Sequence, residues 1–157
     1  TMLLQAGMNA PRFELPDADM QMFSLATQIG KMNTVLYFYP KDDTPGCTME
    51  ANEFSDLDDD FKRLETQVVG VSRDECLSHA AFRDKYGFSV LLLSDVESTV
   101  CKKYGVLYDK EVDGHKKVSI KRSTFVIDKQ GKLCHTLYGV QAHGHAHEIL
   151  NLIKELK

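Results

Sequence analysis

No run of 18 apolar residues occurs in this 157-residue chain, and its start lacks the basic flank and apolar core of a secretion leader, so neither a spanning helix nor export is expected. Basic residues are not in excess either. A net charge of −4 offers no electrostatic reason to expect nucleic acid or an anionic membrane as partner. The four cysteines, Cys47, Cys76, Cys101 and Cys134, form no CxxC pair and show no zinc-like spacing. Their pattern favours free thiols in a reducing cytoplasm over a disulfide scaffold. Repeats, low-complexity segments and interdomain linkers are missing too, so residues 1–157 are expected to form one domain, large enough to bury a real core. Thr1, ahead of Met2, reads as an addition.

What is present is an ordinary globular composition, 43% hydrophobic and 27% charged, with apolar runs that alternate between strand and helix periods. Residues 11–25 predict a hairpin around the turn-rich Pro16-Asp17-Ala18-Asp19, followed by a helical turn ending at Gly30. Residues 34–39 read as a buried strand because Val35, Leu36, Tyr37 and Phe38 run without polar interruption. After Cys47, the spacing of Phe54, Leu57, Phe61 and Leu64 predicts a helix with one core-facing stripe, and Asp58-Asp59-Asp60 reads as its solvated face. Strands at 67–71 and 90–93 alternate with helices at 74–86 and 97–104, closed by Gly87 and Gly105, which implies a parallel sheet. Residues 118–127 and 132–138, joined by Asp128-Lys129-Gln130-Gly131, predict a second hairpin. A terminal helix over 143–156 carries Ile149, Leu150, Ile153 and Leu156 on its core face. The class is α/β.

The chemistry concentrates where the strand at 34–39 passes through Pro40-Lys41-Asp42-Asp43 into a helix. Thr44 suits the N-cap and Pro45 the first turn, which puts Cys47 at the third helical position, among free N–H groups and the positive end of the dipole. Such a place favours a thiolate. A cysteine of pKa near 8.5 is only a few per cent ionised at neutral pH, whereas one at about 6 is roughly nine-tenths ionised, a difference of about 3.4 kcal/mol. A helix end supplies about 0.3–2 kcal/mol of this. A nearby cation must supply much of the rest. Cys47 also lies seven residues before Phe54 on the same helix face, so its sulfur is expected to look inward.

Pro40-x-x-x-Thr44-x-x-Cys47 resembles the active-site signature of the peroxiredoxins. The longer string from Phe38 to Thr48, with Gly70-Val71-Ser72-Arg73-Asp74, Lys85-Tyr86-Gly87 and Arg122-Ser123-Thr124-Phe125-Val126-Ile127-Asp128, is similar to the bacterioferritin-comigratory-protein or Q-type subfamily over nearly the whole chain. The resemblance implies a thioredoxin-like fold, with a central mixed β-sheet flanked by helices and an N-terminal β-hairpin. It implies a thiol-dependent peroxidase that needs no metal, haem or flavin. Cys47 would attack a hydroperoxide and become a sulfenic acid. Arg122 would supply the cation and hold peroxide oxygens. Thr44 would cap the helix and hydrogen bond to the thiolate or peroxide, or only cap. Pro40 would shield the site from water, or only end the strand. Glu50 matches an acid that orients the arginine, or is an ordinary first-turn glutamate.

The chain departs from the pattern in how the sulfenic acid would be cleared. The positions at which relatives carry a second cysteine are Asn52 and Arg83 here. Cys76, seven residues before Arg83, is one candidate resolving thiol, and an external thiol from thioredoxin, glutaredoxin or glutathione is the other. Cys101 and Cys134 read as core positions. His143-Gly144-His145-Ala146-His147 invites a metal reading, against which stands a set of partly solvated histidines at a helix start. A monomer or weak dimer is expected from the subfamily. Two other functions compete: a thioredoxin-like disulfide reductase, against which the missing CxxC argues, and a peroxide-sensing redox switch without efficient turnover.

Overall fold

The computed structural model describes residues 3–156; Thr1, taken above as an addition, lies outside them. The chain runs β1 (Glu14–Pro16), β2 (Met22–Ser24), a 3-10 turn (Leu25–Gln28), β3 (Asn33–Phe38), α1 (Pro45–Asp56), α2 (Asp58–Arg63), β4 (Thr66–Ser72), α3 (Cys76–Tyr86) and β5 (Leu91–Ser94). It continues through α4 (Thr99–Lys103), β6 (Leu107–Val112), β7 (His115–Ile120), β8 (Ser123–Ile127), β9 (Leu133–Tyr138) and α5 (His145–Lys154). Five strands form the central sheet in the order β5-β4-β3-β8-β9. The β3/β4 and β4/β5 pairs, joined through helices, are parallel; β3/β8 and β8/β9 are antiparallel. The sheet is therefore mixed, with β3 at its centre.

Alternation along β3 feeds two cores. Leu36 and Phe38 pack on one face with Phe13, Val69, Leu93, Tyr104 and Phe125. Val35 and Tyr37 face the other way, among Cys47, Phe54, Phe61, Val126, Ile149 and Ile153. Covering both faces explains why this strand reads as one unbroken apolar run. The N-terminal hairpin forms with Leu15 opposite Phe23.

Three expectations are corrected. The stripe from Phe54 to Leu64 belongs to two helices, because the backbone breaks at Leu57 (φ −99°, ψ 3°) and restarts. Asp58 is then not part of a solvated face: it sits in the first turn of α2, buried, with Lys62 Nζ 3.2 Å from its carboxylate. The run at 118–127 is also two strands, since the chain turns at Lys121-Arg122, where Lys121 N–H donates to Val106 O at 2.7 Å. Its first half pairs with β6, a strand the sequence did not predict, in a separate exposed hairpin. Half-charged and wet on both sides, β6 has no apolar alternation to read; Asp113-Gly114 at its tip, both at positive φ (52° and 78°), was the available hairpin signal.

Candidate active site

Cys47 sits just beyond the C-terminal end of the central strand. Thr44 has the extended backbone of an N-cap (φ −109°, ψ 155°), its carbonyl accepts from Thr48 N–H at 2.9 Å, and Pro45 occupies the first helical position. Cys47 thus falls at the third position, and its side chain joins the core beside Tyr37 and Phe54, 2% exposed. The Thr44 hydroxyl departs from expectation. It donates back to Lys41 O at 2.8 Å and makes no capping bond to the helix. That bond closes the loop 41–44 on itself and leaves the free N–H groups of α1 unclaimed by Thr44. Pro40, half-buried, ends the strand side of the loop.

The register of the sheet brings the arginine in. Phe38 at the end of β3 pairs with Ser123 at the start of β8, so the residue before β8 lies beside the loop that follows β3. That residue is Arg122. One guanidinium nitrogen, Nη2, donates to Cys47 Sγ at 3.4 Å; the other, Nη1, donates to Glu50 Oε1 at 2.6 Å. Two segments 75 residues apart in sequence therefore meet at the sulfur. Burial works against the charged guanidinium, but the negative charges of Glu50 and Cys47 outweigh it and hold its pKa above the usual value. Glu50, one turn after Cys47, is wholly buried, and burial pushes its carboxyl up to about 7 against the downward pull of Arg122.

Several neighbours of this cluster were not singled out from sequence. A Cβ on Gly46 would stand 3.0 Å from Arg122 Nη2, so the glycine makes room for the cation. The motif contains it, but only the fold gives it this reason. Tyr37 lies beneath the sulfur, stacked on Phe54 at 4.7 Å, its hydroxyl held well above its usual pKa first by burial and then by the charges of Glu50 and Cys47. Asp42, in the loop itself, is buried and accepts from Tyr39 Oη at 2.7 Å and Ser78 Oγ at 2.8 Å, with His79 Nδ1 2.7 Å away. From the far side, Gly144 N–H donates to Glu53 Oε1 at 2.8 Å. His145, expected to be partly solvated, is buried, with Nε2 2.7 Å from Thr124 Oγ1 and its pKa lowered chiefly by burial. His143 is exposed and faces Glu53 at 3.5 Å.

The AhpC/TSA family model matches residues 6–136. The chain is 42% identical over 149 residues to the putative peroxiredoxin bcp of Coxiella burnetii, covering 95% of this chain and 98% of that one. The chain belongs to the peroxiredoxins. It is also 37% identical to peroxiredoxin Bcp of Bacillus subtilis, over 99% of this chain and 98% of its relative. Among solved structures it is similar to a PrxQ mutant of Xylella fastidiosa (33% identity, 98% of each chain, TM-score 0.92) and to the bacterioferritin comigratory protein of Xanthomonas campestris, described for alkyl peroxide reduction (34% identity, 90% of each chain, TM-score 0.86). The fold is thioredoxin-like, as the motif predicted.

In this peroxiredoxin all four cysteines are unpaired. Cys101 is buried in the core, and burial followed by Asp95 drives its thiol pKa upward. Cys134, expected in the core, is only half-buried beside Asp128, because β9 is the edge of the sheet; burial and that carboxylate raise its pKa too. Cys76 is half-buried at the first position of α3. Asn52 is exposed on α1, and Arg83 pairs with Asp19 at 2.9 Å and Asp84 at 3.0 Å. No helix among the described residues is long and apolar enough to cross a membrane.

Proposed function

We propose that this peroxiredoxin reduces hydrogen peroxide and organic hydroperoxides through a sulfenic acid on Cys47 and is recycled by an external thiol. The observation that carries the reading is the fork of Arg122, one arm on Cys47 Sγ and the other on Glu50. A fixed guanidinium against sulfur both favours the anionic nucleophile and offers donors where charge develops on the peroxide. The sulfur's electron pair attacks one peroxide oxygen; the S–O bond forms, the O–O bond breaks, and the second oxygen leaves with a proton as water or alcohol. In this reading Pro40 and Thr44 line the approach, Pro40 keeping water out and the Thr44 hydroxyl turning from Lys41 O toward the peroxide.

A thiolate of thioredoxin, glutaredoxin or glutathione then attacks the sulfenic sulfur, releasing water and leaving a mixed disulfide that a second thiol resolves. Cys76 is the internal alternative, and a bond to Cys47 needs their Cα atoms within about 7 Å of each other. The same reading treats residues 1–157 as one domain, active as a monomer or weak dimer in a reducing cytoplasm. The test is single-turnover oxidation of the reduced protein by one equivalent of hydrogen peroxide. The expected result is a rate far above that of a free cysteine and its loss in Cys47→Ser; a wild-type rate equal to a free cysteine overturns the reading. Intact mass with Cys76→Ser assigns the resolving thiol, since only an intramolecular disulfide disappears in that variant.

A further inference from the structure

His79 on α3 is wholly buried, and both of its ring nitrogens face groups that accept hydrogen bonds. Nε2 lies 2.8 Å from Leu93 O, a carbonyl that can only accept, so Nε2 carries a hydrogen. Nδ1 lies 2.7 Å from Asp42 Oδ2. A neutral ring with its hydrogen on Nε2 would aim a lone pair at that carboxylate oxygen, so a second proton sits between the two. Turning the ring over would only set carbon against both acceptors.

The surroundings decide which partner holds that proton. Asp42 accepts from Tyr39 Oη on Oδ1 at 2.7 Å and from Ser78 Oγ on Oδ2 at 2.8 Å, and hydrogen bonds of this kind favour the carboxylate. Burial and then the charge of Asp42 hold the Tyr39 hydroxyl well above its usual pKa, so it stays a donor. A second acid, Asp74, faces the same pair from the end of β4: one atom each of Asp42, Asp74 and His79 lie within 4.8 Å of one another. An imidazolium at His79 offsets one of the two negative charges, whereas a neutral ring would offset neither.

We propose that His79 is a buried imidazolium and that its charge pair with Asp42 holds the loop from Pro40 to Thr44 where the peroxide is received. The inference rests on the peroxidase reading above. His79 acts through Asp42 and is therefore a positioning residue. Asp42 stands midway along the loop and is fixed from two sides, its N–H donating to Asp74 Oδ2 at 2.8 Å and its carboxylate bound to α3. The bond from Thr44 Oγ1 to Lys41 O closes the loop around it, so a displacement of Asp42 carries Thr44 along. The loop's other tie to α3, through Asp43 to Lys85 and Tyr86, is exposed and screened by water.

Long-range proton–nitrogen NMR of the wild type at pH 7 reads the charge directly. Both ring nitrogens of His79 are expected in the protonated range, and one unprotonated ring nitrogen overturns the proposal. Wild type, His79→Gln and Asp43→Ala are then compared in single turnover with hydrogen peroxide and with iodoacetamide, which needs only the thiolate. His79→Gln keeps an amide N–H for Asp42 but no charge. Its peroxide rate is expected to fall on the order of 10- to 100-fold, the effect of misplaced contacts, with an iodoacetamide rate within about threefold of wild type. Asp43→Ala cuts the exposed tie between the same loop and helix and should stay within about threefold with both reagents. An unchanged peroxide rate in His79→Gln, an equal loss with both reagents, or an equal loss in Asp43→Ala each overturns the proposal. The NMR measurement needs no variant and stands even if His79→Gln does not fold. A wild type no faster than free cysteine removes the peroxidase reading but leaves the imidazolium signature in place, so the two failures are distinguishable.

Discussion

Gly46 leaves room for a guanidinium and little more. A methyl there would meet Arg122 Nη2 at 3.0 Å, while Glu50 restrains the other arm of the fork, so Gly46→Ala is expected to push the cation off the sulfur. The peroxide rate should fall about 10-fold or more, roughly 1.4 kcal/mol of lost transition-state contact, with little change in a urea midpoint. Arg122→Lys keeps the charge but loses the second arm, and a drop of about 10²-fold in single-turnover rate is expected, as for removal of an oxyanion donor. Glu50 also ties stability to pH. Its folded pKa, about 7, lies above its ordinary 4.5, so its contribution is fully present below 4.5 and is lost as pH rises through 7. The gap in unfolding free energy between wild type and Glu50→Gln should therefore shift against wild type by on the order of 3 kcal/mol over that window. Urea titrations at both ends of it provide the check.

Between elements, the loop that leads into α1 is fastened to α3. Asp42 receives Ser78 Oγ and lies 2.7 Å from His79 Nδ1, whose other ring nitrogen is 2.8 Å from Leu93 O on β5. Asp43 adds bonds from Lys85 Nζ at 2.8 Å and Tyr86 Oη at 2.6 Å at the outer end of the same helix. Removing one partner of a buried, hydrogen-bonded pair commonly costs about 3–5 kcal/mol, so Asp42→Ala should lower stability by that order, whereas exposed Asp43→Ala should leave stability nearly unchanged. Denaturant midpoints separate the two. The sheet beneath has its own tight spot, because a Cβ on Gly70 would lie 2.6 Å from the Tyr37 ring; that close approach lets Tyr37 stay under the sulfur.

Over the whole molecule, the central sheet and the β6–β7 hairpin differ in kind. The sheet is buried on both faces, while the hairpin is mostly exposed and is tied down by Arg73 Nη2 donating to Val118 O at 2.6 Å and by Lys121 N–H donating to Val106 O. Local opening should be easiest there. Limited trypsin digestion is expected to cut first among Lys110, Lys116 and Lys117, before any site in the sheet. Mapping the first fragments by mass gives the answer, and early cuts near Lys62 or Lys132 would contradict it.

Legibility in the sequence followed burial. The central strand, α1 with its cysteine, and the β8–β9 hairpin were readable because two-sided burial, a proline at N1 and a turn tetrapeptide each leave a local signature. The break at Leu57 was not, since two short helices in near phase keep the same apolar period. Thr44 stands at the expected N-cap position without the expected capping bond, because a side chain there has both helix N–H groups and loop carbonyls within reach. The sequence by itself determined the α/β class, the thiol at the helix start and the family. Only the tertiary structure decided that Arg122 meets Cys47, that Gly46 makes room for it and that Glu50 is buried against it. Those contacts depend on the register of β8 against β3, and strand pairing between distant segments is written in the packing of the whole core rather than in any local run of residues.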